Sequence, residues 1–151
     1  MVMNEQGEPT IEVTKDELLA VNNALNEVCH GFVVEPFQKR LGVNRQTARA
    51  LLDALGEIYD RTPSADSSSD AWESLEGESG IAPLRARWDR DKGVALALGS
   101  SELSAIRNAL LEVCAELEDW EFQTRMGCDR KFIRELLEVV GQALGQQPKL
   151  D

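Results

Sequence analysis

One His, one Tyr and three Cys among 151 residues leave little material for nucleophilic, acid–base or metal chemistry. His30 is the sole imidazole, so it is the only candidate base of that kind. Three Cys is an odd number. Their neighbours are apolar, which excludes a fully paired disulfide framework and predicts reduced thiols in a reducing compartment. No segment approaches the roughly 18 apolar residues of a membrane-spanning helix. The N-terminus shows no basic stretch leading into an apolar run, so a cytoplasmic protein with no membrane partner is expected. Cations are scarce as well. Sixteen Lys and Arg against 27 Asp and Glu give a net charge of −11, which opposes non-specific binding to polyanions.

What is present suits a globular chain of one ordinary domain or two very small ones, since 42% of the residues are apolar. The strongest pattern is internal. Residues 11–59 align without a gap on residues 96–144 at an offset of 85, with 18 of 49 positions identical. Asn23-Ala24-Leu25-Asn26-Glu27-Val28-Cys29 recurs as Asn108-Ala109-Leu110-Leu111-Glu112-Val113-Cys114, and Phe37, Gln38, Arg40 and Gly42 recur as Phe122, Gln123, Arg125 and Gly127. Arg45, Arg49, Leu51, Leu52 and Gly56 return as Arg130, Arg134, Leu136, Leu137 and Gly141. A tandem duplication is the direct reading.

Each copy reads alike. An alternating lead-in, Ile11-Glu12-Val13 or Val94 to Leu98, predicts an extended segment or strand. Thr14-Lys15-Asp16-Glu17 has the form of a capping box. The helix it opens carries Leu18, Val21, Leu25, Val28 and Phe32 at spacings of three and four, matched by Leu103, Ile106, Leu110, Val113 and Leu117. A short helical turn around Phe37 or Phe122 stops at Gly42 or Gly127, and Asn44 or Asp129 caps a last helix. The fold class expected is mainly α: two tandem three-helix repeats, each with a short extended lead-in. A unit of 49 residues is too small to stand comfortably alone. The copies should therefore share one core about a pseudo-twofold axis, like a homodimer fused into one chain, with the lead-ins free to pair across it.

The boundaries follow. Residues 1–10 form a flexible N-terminus, 11–59 the first repeat, 60–80 an acidic linker rich in Ser, 81–93 an extended connection, 94–144 the second repeat and 145–151 a tail. The charge divides unevenly among them. The linker alone carries −5, residues 81–93 carry +2, and the repeats −2 and −4.

The stretch from Phe37 to Leu52 resembles a helix-turn-helix, with Gly42 at the turn and Arg45 and Arg49 among residues suited to reading a groove. The second copy keeps Arg130 and Arg134 but adds Asp129 and Glu135 to the same surface. Against that reading, the same architecture is a generic three-helix unit in which Arg40, Arg45 and Arg49 can pair with Glu17 and Glu27. Cys29, His30, Cys114 and Cys128 would compose a zinc set. Their spacing does not suit a local knuckle, and Cys128 aligns with Val43, a packing position. The recurring carboxylates Glu17 and Glu102, or Glu27 and Glu112, are expected in water. No catalytic, cofactor-binding or metal residues are assigned, and an enzyme is not expected. Trp72, in the acidic linker, is a candidate interaction residue, whereas Trp120 is expected to pack at a helix junction.

The stretches Asn23 to Cys29 and Trp120-Glu121-Phe122-Gln123-Thr124-Arg125 with Gly127 resemble small uncharacterised bacterial proteins that carry one such unit. That resemblance implies a bacterial origin and brings no cofactor or catalytic residue. The function expected is non-catalytic, through protein–protein contact of a regulatory, inhibitor or immunity-like kind, as a monomer or weak homodimer. The alternative is a DNA-binding regulator using Arg45, Arg49, Arg130 and Arg134 around the turns at Gly42 and Gly127.

Overall fold

The computed structural model describes residues 10–61, 73–75, 84–89 and 93–145. Strand β1 (Thr10–Val13) alternates as its sequence does, with Ile11 and Val13 buried and Glu12 exposed. Helix α1 (Lys15–Asn26) starts at the capping box. The Thr14 hydroxyl accepts from the Glu17 amide at 3.1 Å, and the Glu17 carboxylate accepts from the Thr14 amide at 2.8 Å. Both amides would otherwise lack an intrahelical acceptor.

The helix then widens into a π-helical turn over Glu27–Gly31, closed by the Phe32 amide donating to the Glu27 carbonyl at 3.1 Å. Phe32, assigned by spacing to the α1 stripe, therefore lies past its end. Periodicity alone does not register the change, because the apolar spacing remains compatible with an uninterrupted α-helix.

Helix α2 (Phe37–Leu41) ends at Gly42, and α3 (Arg45–Arg61) is capped by Asn44, whose side-chain oxygen accepts from the Thr47 amide at 2.8 Å. The second half repeats the long, short, long order in α4 (Ser100–Glu116), α5 (Asp119–Met126) and α6 (Arg130–Gly145), with Asp129 accepting from the Phe132 amide at 2.9 Å. Gly42 and Gly127 have φ of 87° and 76°, as the cap reading requires. Gly127→Ala is expected to cost about 1–2 kcal/mol because a Cβ is strained at positive φ. By contrast, Gly56→Ala should stabilise by about 0.5–1 kcal/mol, since Gly56 lies in helical backbone with nothing within 4 Å of an added Cβ. Urea denaturation of the two variants checks these opposite signs.

Three more strands, β2 (Glu73–Leu75), β3 (Leu84–Asp89) and β4 (Gly93–Ala97), join β1 in an antiparallel sheet of order β1-β4-β3-β2. The lead-ins therefore pair with each other. Ile11 stands opposite Leu96, 85 positions away, flanked by Thr10 with Ala97 and Glu12 with Ala95. One face of the sheet presents Ile11, Val13, Leu84, Ala86, Trp88, Val94 and Leu96 to the helices, and all belong to the main hydrophobic core. Two positions in the stretch read as a linker are helical, Asp60 and Arg61 at the end of α3, and Glu73–Leu75 form β2. A three-residue strand flanked by acids and glycine carries too little pattern to be seen in sequence, and its pairing with β3 is tertiary.

Helix α1 packs on α3 and α4, and α4 on α6; α2 lies against α4 and α5 against α1. Each short helix thus rests on the first long helix of the other half. Leu18, Leu25, Val28, Leu103, Leu110 and Val113 are fully buried in one continuous core. No helix among the described residues is long and apolar enough to cross a membrane.

Candidate interaction surface

Because α2 rests on α4 and α5 on α1, the polar residues retained in both copies meet across the halves. Arg40 of α2 grips Glu112 of α4 through two nitrogens, Nε to Oε2 at 3.1 Å, with Glu116 3.9 Å away. Arg125 of α5 pairs with Glu27 and, at 2.7 Å, with Glu121. Asn23 donates through Nδ2 to the Met126 carbonyl and Asn108 to the Leu41 carbonyl, each at 2.9 Å. Those carbonyls lie at the ends of α5 and α2, where intrahelical donors run out. The pairing of Arg40, Arg45 and Arg49 with Glu17 and Glu27 inside one copy does not form: Glu17 is engaged in the α1 cap, and Glu27 faces Arg125 of the other half. Nor are all the recurring carboxylates in water, since Glu27 and Glu102 are 8% and 7% exposed.

Arg45 and Arg130, the first candidates for a nucleic-acid surface, turn inward. The Arg45 guanidinium lies 4.4 Å from the centre of the Phe37 ring and donates to the Cys29 carbonyl at 3.2 Å. Arg130 stacks on Phe122 at 4.5 Å, donates to the Cys114 and Leu117 carbonyls, and pairs with Asp119 at 2.9 Å. Cations at carbonyl-rich helix ends are held by the helix dipole as well as by the bonds. Arg49 and Arg134 stay exposed on α3 and α6. Asn44, read from the sequence as a cap, is engaged as one.

The three thiols are free. Burial raises the Cys29 pKa, partly offset by Arg49 and Arg45, and burial likewise raises that of Cys114. Cys128 is pushed up to about 11, first by burial and then by Asp129. A protonated thiol is a poor nucleophile and a poor metal ligand. Among the described residues no cluster of His, Cys, Asp and Glu is arranged to hold a metal ion.

The Cys128 shift has a pH signature. An unfolded thiol titrates near 9.0 and the folded one near 11, so the native state holds its proton longer and stability falls as pH rises across that window. Cys128→Val, which installs the residue found at the aligned position 43, should flatten that fall in denaturant titrations between pH 8 and 11.

A shallow cleft of about 300 Å³ opens beside His30, lined by Cys29, Phe32, Val33, Glu35 and Arg45. Its ionisable groups are the exposed His30 imidazole, Glu35, Arg45 and the buried Cys29 thiol, whose pKa burial raises. The more unusual surface feature is apolar. Trp120 is 80% exposed and Val33 75%. Trp120 thus does not pack at the helix junction as expected. Helix α5 turns Phe122 and Met126 into the core, and Trp120, two residues before Phe122, points roughly 200° away around the axis. Trp72 lies outside the described residues.

Sequence reasoning missed Arg40, Arg125, Glu112 and the two Asn as a connected set. The available signal was their survival as polar residues in both copies, at positions where neighbouring surface residues differ. Comparison with protein-family models, curated proteins and solved structures finds no match to this chain.

Proposed function

We propose that the chain is a tandem duplication folded about a pseudo-twofold axis and acts without catalysis, by binding another protein in a bacterial cytoplasm. The reciprocity of the contacts supports the symmetry: Arg40 with Glu112 and Arg125 with Glu27, Asn23 with Met126 and Asn108 with Leu41, and Ile11 opposite its own counterpart Leu96. The observation that carries protein binding is Trp120, a large amphipathic side chain held in solvent at the start of a helix whose other face is anchored. Aromatics in that setting supply contact area at low entropic cost and dominate binding energies.

The test compares quantitative capture of cytosolic proteins by the tagged wild type and by Trp120→Ser. Specific capture is expected to fall about tenfold or more in the variant; equal capture by both overturns the reading.

DNA binding is the second reading, favoured by exposed Arg49 and Arg134 at matched positions of α3 and α6. It requires a salt-dependent gel shift that weakens in Arg49→Ala and Arg134→Ala, with Arg45 and Arg130 contributing little because they are engaged internally.

A further inference from the structure

Arg45 and Arg130 occupy aligned positions and are seated alike. Each guanidinium lies over a Phe ring, at 4.4 Å and 4.5 Å, and donates through Nη1 to the carbonyl of the aligned Cys29 or Cys114. Arg130 is then satisfied on its remaining edge, where Nη2 donates to the Leu117 carbonyl and Nε to the Asp119 carboxylate at 2.9 Å. Arg45 has neither partner among the described residues. The aligned positions hold Phe32, whose carbonyl takes no bond from Arg45, and Val34, a buried apolar side chain. The backbone differs at the same place: α4 runs as regular α-helix to Glu116, whereas the aligned stretch of the first half is the π-helical turn Glu27–Gly31, a rare form that recurs at functional sites.

We propose that the cleft beside His30 binds a small organic monocarboxylate with an apolar tail, its carboxylate taking on Arg45 the Nε and Nη2 edge that Asp119 and the Leu117 carbonyl take on Arg130. The cleft of about 300 Å³ is lined by Arg45 itself, and that volume suits a small ligand. The guanidinium fork matches a carboxylate bidentately. Because its ring contact and the Cys29 carbonyl already hold it, little freedom is lost on binding. Half-buried Phe32 and exposed Val33 give the tail an apolar wall, and the exposed His30 imidazole can donate a hydrogen bond in either protonation state. Glu35 also lines the cleft, without pairing with Arg45. Its charge opposes a second negative charge nearby, which favours a monocarboxylate over phosphate. Beside Arg130 the chain supplies the carboxylate itself, since Asp119 lines that cleft.

The experiment titrates the full chain with phenylacetate and follows arginine Nε–H and backbone signals by nitrogen-15 NMR. The Arg45 Nε–H and the amides of residues 29–35 are expected to shift together and saturate with a Kd of about 1 mM. The Arg130 Nε–H should stay in place, because Asp119 already occupies it. Phenylacetamide, of the same shape without the charge, and phosphate should each bind about tenfold or more weakly. Arg45→Lys, which keeps the charge and loses the fork, should weaken phenylacetate about tenfold; if that variant unfolds, the comparison of acid with amide on the wild type decides alone. No saturable shift by about 20 mM, equal movement of the Arg45 and Arg130 signals, or equal binding of the amide or of phosphate overturns the proposal. So does a folded Arg45→Lys that binds as the wild type does.

Discussion

Leu110→Ala is expected to lower the unfolding free energy by about 2–5 kcal/mol and the melting temperature by roughly 4–20 °C. Leu110 has no exposed surface and sits in α4, the helix on which α1, α2 and α6 all rest. Truncation there removes a large buried side chain from a place where three helices would have to move together to close the void. Leu25→Ala, at the aligned position of α1, is expected to cost a similar amount. The informative measurement is the shape of the transition, followed by far-ultraviolet circular dichroism and by Trp fluorescence. A shared core gives one coincident transition that moves as a whole in either variant. Two transitions, of which Leu110→Ala shifts one, would refute it.

The second large effect concerns the ion pairs between the halves, and it is asymmetric. Arg125→Ala leaves Glu27, a carboxylate 8% exposed, without its cation, and should cost about 2–3 kcal/mol. Glu27→Ala leaves Arg125, nearly a third exposed, still paired with Glu121, and should cost about 1 kcal/mol. A double-mutant cycle on the pair, read by urea denaturation, should show the two changes to be non-additive. Strict additivity, or a larger cost for Glu27→Ala, would mean that the crossing pair does not couple the halves.

Much of the local structure was legible because it depends on neighbours in sequence. The Thr14 and Glu17 capping box, the left-handed glycines 42 and 127, and the Asn44 and Asp129 caps are each set within four residues of chain. The period-two lead-ins are extended for the same reason, although their pairing joins residues 85 positions apart. What escaped is long-range. The choice of Glu112 over Glu17 or Glu27 by Arg40 depends on α2 resting on α4, which no local pattern encodes. Trp120 lies in solvent despite its apolar ring because Phe122 and Met126 already occupy the inward side of that short helix. The candidate arginines divided in the structure: composition suggested one cationic surface, while two of the four are engaged by nearby rings and carbonyls.

The second carboxylates of the crossing pairs make the halves complementary rather than interchangeable. Arg40 has Glu116 as its extra partner and Arg125 has Glu121, but the aligned positions in the first half hold Gly31 and Pro36. Under the proposed twofold, two first halves would give each arginine one carboxylate, and two second halves would crowd three around each. Only the mixed pair gives each arginine two. The charge pattern thus discriminates against like-with-like assembly, so that each half matches the other half better than it matches a copy of itself.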